Sequence, residues 1–266
     1  MKSIKPLKRF GQNYLQDQNI VNKIVAEIDP LPEDKIVEIG PGLGALTSKL
    51  LFKTNLTAVE IDSRAAEILR KKFPELKIVE DDFLKFDLRA LVSDHEKLRI
   101  VGNIPYNLTS SIVFKMLRSH RIIRDSVLMV QYEVAKRMTA SKGVKDYAIL
   151  SVLLTRFCET RLAFKVPPTA FYPKPNVDSA VIHLKFKEVN SSPEEDEIFI
   201  SVVKAAFGNR RKKLKNSLSN SIFKDMNFTD SGIDLSLRAE QLEIQDFLVL
   251  AEFVRNSNFL TKNPRG

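Results

Sequence analysis

With 266 residues, of which 44% are hydrophobic and 28% charged, the chain has an ordinary globular composition and length for one large domain plus a small one. Its single cysteine, Cys158, excludes an internal disulfide and any cysteine-based zinc site, and His95, His120 and His183 are too scattered to make a metal-ligand pair. The formal net charge of +9 points toward a polyanionic partner; acidic and basic residues balance from Asn190 onward, so the surplus lies on residues 1–189. No secretion-signal core opens the chain and no apolar run is long enough to span a bilayer, so a soluble, cytoplasmic protein is expected.

Residues 1–9 carry Lys2, Lys5, Lys8 and Arg9, a solvated tail or a basic arm for phosphate. Phe10-Gly11-Gln12-Asn13-Tyr14-Leu15 reads as a turn, after which Ile20, Val21, Ile24, Val25 and Ile28 recur at helical spacing. Asp34–Ile39 is an apolar strand running into Gly40-Pro41-Gly42-Leu43-Gly44, and Ala45–Phe52 reads as a helix. Strand Leu56–Ile61 follows; Ser63 can cap a helix over Arg64–Phe73. Further strands are predicted at Leu76–Val79, Leu98–Val101 and Ser126–Val130, and helices at Ser110–Leu117, Glu133–Met138 and Ala148–Phe157, with Cys158 a buried thiol in the last apolar helical run. Thr160–Val166 and Val177–Lys187 are strand-like, separated by Pro167–Pro175, too proline-rich for regular structure. Ser191-Ser192-Pro193 and the acidic Glu194–Glu197 read as a linker, dividing the chain into domains 1–189 and 190–266, the second helical.

Strands alternating with helices predict an α/β fold with a parallel, doubly wound sheet. Ligands of such sheets bind beyond the carboxyl ends of the strands. Gly40, Glu60, Asp82 and Asn103 all fall at those ends, so four separated stretches converge on one crevice.

The glycine loop fits G-x-G-x-x-A through Gly40, Gly42 and Ala45, with Glu60 spaced as a ribose ligand, a pattern that NAD and S-adenosylmethionine share. Asp82 can accept a hydrogen bond from an adenine amine, and Phe83 can flank the ring. No histidine accompanies these motifs to serve a nicotinamide, and the amides of Gln12 and Asn13 suit a methionine tail, so S-adenosylmethionine is the expected cosubstrate. The stretch Gly102-Asn103-Ile104-Pro105-Tyr106-Asn107 adds an amine clamp. Asn103 offers a side-chain carbonyl, the Ile104 carbonyl precedes a proline with no N–H, and Tyr106 presents a flat face. A nucleobase amine fits it.

With these residues assembled, the chain resembles the KsgA family, also called RsmA, of ribosomal RNA adenine dimethyltransferases. FGQNYLQD, VEIGPGLGALT, AVEID, EDDF, GNIPYN and AFYPKPNVDSAV resemble its motifs, in its order, and Ala205–Leu218 (AAFGNRRKKLKNSL) resembles its C-terminal signature. Mild departures are Tyr14 where Phe is usual, Ile104 where Leu is common and Tyr132 where Lys often follows the glutamine.

The resemblance implies a Rossmann-like class I methyltransferase domain with a mostly parallel seven-stranded sheet, followed by a small all-α domain. It implies transfer of two methyl groups from S-adenosylmethionine to each of two adjacent adenosines in the 3′-terminal hairpin loop of small-subunit rRNA, within an assembling 30S particle, by a monomer. Asn13, Leu15, Gly40, Glu60, Asp82 and Asn103 become its cosubstrate ligands. Asn103 with the Ile104 or Pro105 carbonyl would hold the target amine, between Tyr106 and Phe171 as stacking walls. Arg210, Arg211, Lys212, Lys213 and Lys215 form the densest basic cluster and would bind phosphate. The alternatives are a macrolide-resistance type large-subunit rRNA methyltransferase, a non-catalytic nucleic-acid-binding relative, and, on the glycine loop alone, a dehydrogenase.

Overall fold

A computed structural model describes residues 12–209 and 211–257. The basic arm at residues 1–9, Phe10, Gly11 and Arg210 lie outside them. The described chain forms two compact units: one runs to Lys136 and resumes over Cys158–Lys187, and the other takes Arg137–Phe157 and the chain from Glu188.

In chain order the first unit contains β1 (Tyr14–Leu15), α1 (Gln18–Ile28), β2 (Lys35–Ile39), α2 (Thr47–Leu50), β3 (Asn55–Glu60), α3 (Ser63–Lys72), β4 (Lys77–Glu80), β5 (Leu98–Asn103), α4 (Thr109–Arg118) and β6 (Ile123–Gln131). The chain leaves this unit along α5 (Tyr132–Met138), passes through α6 (Ile149–Phe157) of the second, and returns as β7 (Cys158–Val166), β8 (Phe171–Tyr172) and β9 (Ser179–Phe186). Seven strands form one sheet in the order β4-β3-β2-β5-β6-β9-β7, parallel from β4 to β6, with β9 antiparallel to both neighbours. β2, β5 and β6 are almost wholly buried, as expected of central strands covered on both faces. The five isoleucines and valines of α1 are all buried, and the Asp17 carboxylate caps that helix through the Asn19 and Ile20 N–H groups.

Local chemistry moved several boundaries. Asp62, not Ser63, caps α3, because its carboxylate reaches the Arg64 N–H. The predicted helix over 45–52 shortens to α2, and Cys158 opens strand β7 instead of closing a helix, still buried, with its thiol pushed up by desolvation. The turn before α1 and the proline-rich segment each contain a two-residue strand: Tyr14 pairs with Tyr172, and Leu15 with Phe171. Pro168–Ala170 forms one 3₁₀ turn before β8.

The linker expected near residue 190 is helical instead. The supposed linker is the start of α7 (Pro193–Phe207), with Pro193 in the first turn, a Ser192–Glu195 capping box, and acidic residues that complement the helix dipole. With α8 (Leu214–Ser219) and α9 (Ile244–Asn256), α7 builds an α-helical unit whose core includes α6, where Phe157 meets Phe199 edge-on at 6.1 Å. A helix lent from the middle of the chain leaves no linker signature. Among the described residues, no helix is long and apolar enough to cross a membrane.

The amino ends of the central strands are tied by one buried cation. All five N–H groups of Arg99 are used: Nε and Nη2 grip Asp125 at 2.8 and 2.7 Å, Nη1 reaches Asp34 at 2.6 Å, and the Ile28 and Asp29 carbonyls take the rest. The His183 imidazole bridges Asp125 and Glu27. Burial works against ionisation of Asp125, yet the His183 and Arg99 contacts hold it at about 2; against the same opposition, the Leu31 N–H and Arg99 keep Asp34 below the usual range. Arg99→Met should therefore destabilise the fold by about 3–5 kcal/mol at pH 7, leaving Asp125 without its guanidinium and Asp34 with Arg124 as its remaining cation. Because both carboxyls are depressed in the folded state, their contribution is present above about pH 4 and lost as pH falls below it, for Asp125 toward about 2. Chemical denaturation of wild type and variant at pH 7 and pH 3 checks both effects, the variant losing much of the acid dependence.

Candidate active site

The crevice lies where β2, β3, β4 and β5 end, and it gathers most of the residues singled out from the sequence. Gly40 and Gly42 take φ of +58° and +57°, which turns the loop after β2 sharply. A Cβ on residue 42 would sit 2.9 Å from the Tyr14 ring, so glycine there also lets the N-terminal strand close over the loop. The Gly42 N–H donates to Glu60 Oε2 at 3.0 Å, and the Asp62 N–H to Glu60 Oε1 at 2.9 Å. Burial pushes the Glu60 carboxyl up while these two N–H groups pull the other way. Each oxygen keeps a lone pair, so Glu60 is fixed in place and able to accept ribose hydroxyls.

Asp81, Asp82, Phe83 and Leu84 also line the pocket. One Asp82 oxygen accepts the Leu84 N–H at 2.9 Å; its other oxygen accepts nothing among the described residues, as an acceptor for an adenine amine requires. Phe83 is buried, with the Lys115 ammonium over its ring at 5.3 Å. Leu15 and Asn13 also line the pocket. Gln12 lines it too, but its amide is engaged within the protein: Nε2 donates to Asp62 at 3.0 Å and Oε1 accepts from Tyr14 at 2.9 Å. Its visible work is to seat the N-terminal strand.

The amine clamp is sharper than the sequence allowed. Asn103 Nδ2 donates to the Asn13 carbonyl at 2.7 Å, which fixes the amide and leaves Oδ1 as the acceptor. The sequence left the Ile104 and Pro105 carbonyls as alternatives. The Pro105 carbonyl accepts the Leu108 N–H at 3.0 Å, whereas the Ile104 carbonyl accepts nothing among the described residues, so of the two Ile104 is the open acceptor. Tyr106 lines the same pocket, half-buried.

Phe171 does not join it. It is 5% exposed, belongs to the hydrophobic core with Leu15 and Val166, and lines no part of the pocket. In a strand, alternate residues face opposite ways, and here the exposed position of β8 is Tyr172 at 56%. Arg211, Lys212, Lys213 and Lys215 are exposed in the second unit, at and just before the start of α8. Tyr132, the departure from the lysine pattern, has the ammonium groups of Lys136 and Lys165 over its ring at 5.3 and 4.9 Å, so this position still gathers positive charge.

Glu38 was not singled out from the sequence, because a glutamate among apolar strand residues looks like an edge position. It is buried, lines the pocket and accepts from Thr47 Oγ1 at 2.7 Å. Desolvation pushes it up to about 7 against the pull of Thr47, helped by the nearby Glu60 charge. A cationic cosubstrate favours its ionised form, lowering that value. Binding of S-adenosylmethionine should therefore release protons near pH 7 and tighten as pH rises through it. Calorimetry in buffers of different ionisation enthalpy checks this, and Glu38→Gln should remove most of the proton release.

Comparisons with known proteins give the family. Residues 4–256 match the family model described as "Ribosomal RNA adenine dimethylase". A relative from Chlorobium phaeobacteroides, named Ribosomal RNA small subunit methyltransferase A, is 44% identical over 249 residues, covering 93% of this chain and 91% of the relative. Among solved structures, a dimethyladenosine transferase from Plasmodium falciparum aligns with a TM-score of 0.71 at 26% identity, over 91% of this chain and 98% of that one. The 23S rRNA methyltransferase ErmE aligns with a TM-score of 0.64 at 27% identity, over 90% and 98%. The chain thus belongs to the ribosomal RNA adenine dimethylase family, enzymes that methylate rRNA adenine with S-adenosylmethionine as methyl donor.

Proposed function

We propose that this protein dimethylates two adjacent adenosines in the 3′-terminal hairpin loop of small-subunit rRNA, acting as a cytoplasmic monomer on an assembling 30S particle. One observation carries the reading of the site: two acceptors with no protein partner among the described residues, Asn103 Oδ1 and the Ile104 carbonyl, line the nucleoside cradle together with Tyr106. Two acceptors suit the two N–H groups of an unmodified adenine amine. The small-subunit assignment rests on the name of the 44%-identical relative, against 27% identity to the large-subunit enzyme.

An adenine amine is a poor nucleophile because its lone pair delocalises into the ring. Hydrogen bonds to Asn103 and Ile104 would orient the nitrogen and favour the pyramidal geometry that frees the pair. S-adenosylmethionine supplies a methyl on a positively charged sulfur, a leaving group that needs no protonation. The protein's task is then alignment, with reacting atoms brought to about 3–3.5 Å. No histidine lines the pocket, and none is required, since the amine turns acidic once alkylated. Entry of the base needs it flipped from its stack at a few kcal/mol, of which stacking on Tyr106 returns roughly 1–3 kcal/mol.

Asn103→Ala should lower methyl transfer by about 100-fold or more while thermal stabilisation by S-adenosylmethionine is reduced but present. Offering the two ribosomal subunits separately with labelled donor tests the substrate, and label confined to the large subunit would replace this reading with the macrolide-resistance one. Label in neither, with donor binding intact, would favour a non-catalytic relative.

Arg211, Lys212, Lys213 and Lys215 are proposed as phosphate contacts of the second unit. RNA affinity should then fall steeply with salt, each phosphate engaged adding roughly 0.7–0.9 to the log–log slope. Replacing the four by alanine should flatten that slope, as read by filter binding from low to physiological salt.

A further inference from the structure

Ser179, the first residue of β9, has no exposed surface and is held on both sides, opposite Gln131 of β6 and Val166 of β7. The residues after it, Ala180, Val181, Ile182 and Leu184, are buried and apolar, apart from His183. A hydroxyl there needs a partner. Its oxygen lies 2.7 Å from the Tyr106 hydroxyl. The other end of Tyr106 is also anchored, its carbonyl accepting from Thr109 Oγ1 at 3.1 Å. The ring that lines the amine pocket is thus fixed at its backbone and at its far tip. Burial pushes the Tyr106 hydroxyl up, which keeps it protonated for this bond. For stacking alone a phenylalanine would serve; the hydroxyl adds a fixed ring plane.

The reaction makes that plane matter unequally. In each transfer the amine lone pair forms the N–C bond, the S–C pair returns to sulfur, and one N–H proton passes to water. The first transfer starts with two N–H groups for the two acceptors, and the second starts with one. Positioning of the monomethylated base therefore depends more on the ring it stacks against. We propose that Ser179 is a positioning residue that locks the Tyr106 ring plane and thereby sustains the second methyl transfer. This inference rests on the dimethyltransferase reading.

The test compares wild type, Ser179→Ala, Tyr106→Phe and the double variant in single turnover on small subunits lacking the modification. Mass spectrometry quantifies N6-monomethyl and N6,N6-dimethyl adenosine, and calorimetry measures S-adenosylmethionine binding. Each single variant is expected to slow the second transfer roughly tenfold more than the first, so that monomethyl product accumulates. The double variant should be no worse than either single one, since both remove the same bond. Should Ser179→Ala lose donor binding through misfolding, Tyr106→Phe alone decides by its product ratio. Wild-type product ratios in the variants, or additive losses in the double one, would overturn the role of Ser179. A wild type that binds donor yet makes no dimethyladenosine would instead overturn the reading beneath it.

Discussion

The approach of β2 and β5 at their carboxyl ends is the constraint on which the site depends. A side chain on Gly102 would place its Cβ 2.7 Å from the Ile39 carbonyl, a backbone atom that cannot give way. Glycine lets the two central strands run side by side to their last residues, where one turns into the Gly40–Gly44 loop and the other into Asn103-Ile104-Pro105. The donor cradle and the amine clamp are neighbours because those two strands are. Glu60 and Asp82 then need only end the next two strands of a twisted parallel sheet to reach the same crevice.

A second layer of order comes from the N-terminal segment. Tyr14 packs on Gly42, Gln12 holds Asp62, and the Asn13 carbonyl takes the Asn103 amide. These contacts join residues dozens of positions apart and settle a question of chemistry. By occupying Nδ2, Asn13 leaves the oxygen of the Asn103 amide as the end open to the pocket, the end that the proposed amine requires. The segment thus works as a brace for the clamp as much as a wall of the cradle.

Much of this was legible in the chain because periodicity and glycine are local signals. DKIVEI followed by GPGLG, and RIV followed by GNIPYN, announce buried strands and the turns at their ends. What stayed hidden depends on partners far away in sequence. The pairing of Tyr14–Leu15 with Phe171–Tyr172 spans two residues on each side, too few for alternation to show, and it sets which aromatic faces inward. Phe171 consequently fills the core where a stacking wall was expected. Glu38 could not be told from an edge glutamate without knowing that β2 is central, and the transfer of residues 137–157 to the helical unit leaves no compositional trace. The choice between the Ile104 and Pro105 carbonyls needed the Leu108 N–H, a matter of one turn's geometry.

Strand β5 carries the buried cation Arg99 near one end and Asn103 at the other, about 13 Å apart at a strand's rise of roughly 3.3 Å per residue. Anchorage and chemistry therefore occupy opposite poles of one stiff rod. Substitutions in the loops around Asn103 can retune what is modified while the guanidinium knot still guarantees the scaffold. Damage at the knot, conversely, threatens the whole molecule before it alters specificity. An engineer seeking a new nucleobase preference has a protected foundation on which to vary one rim.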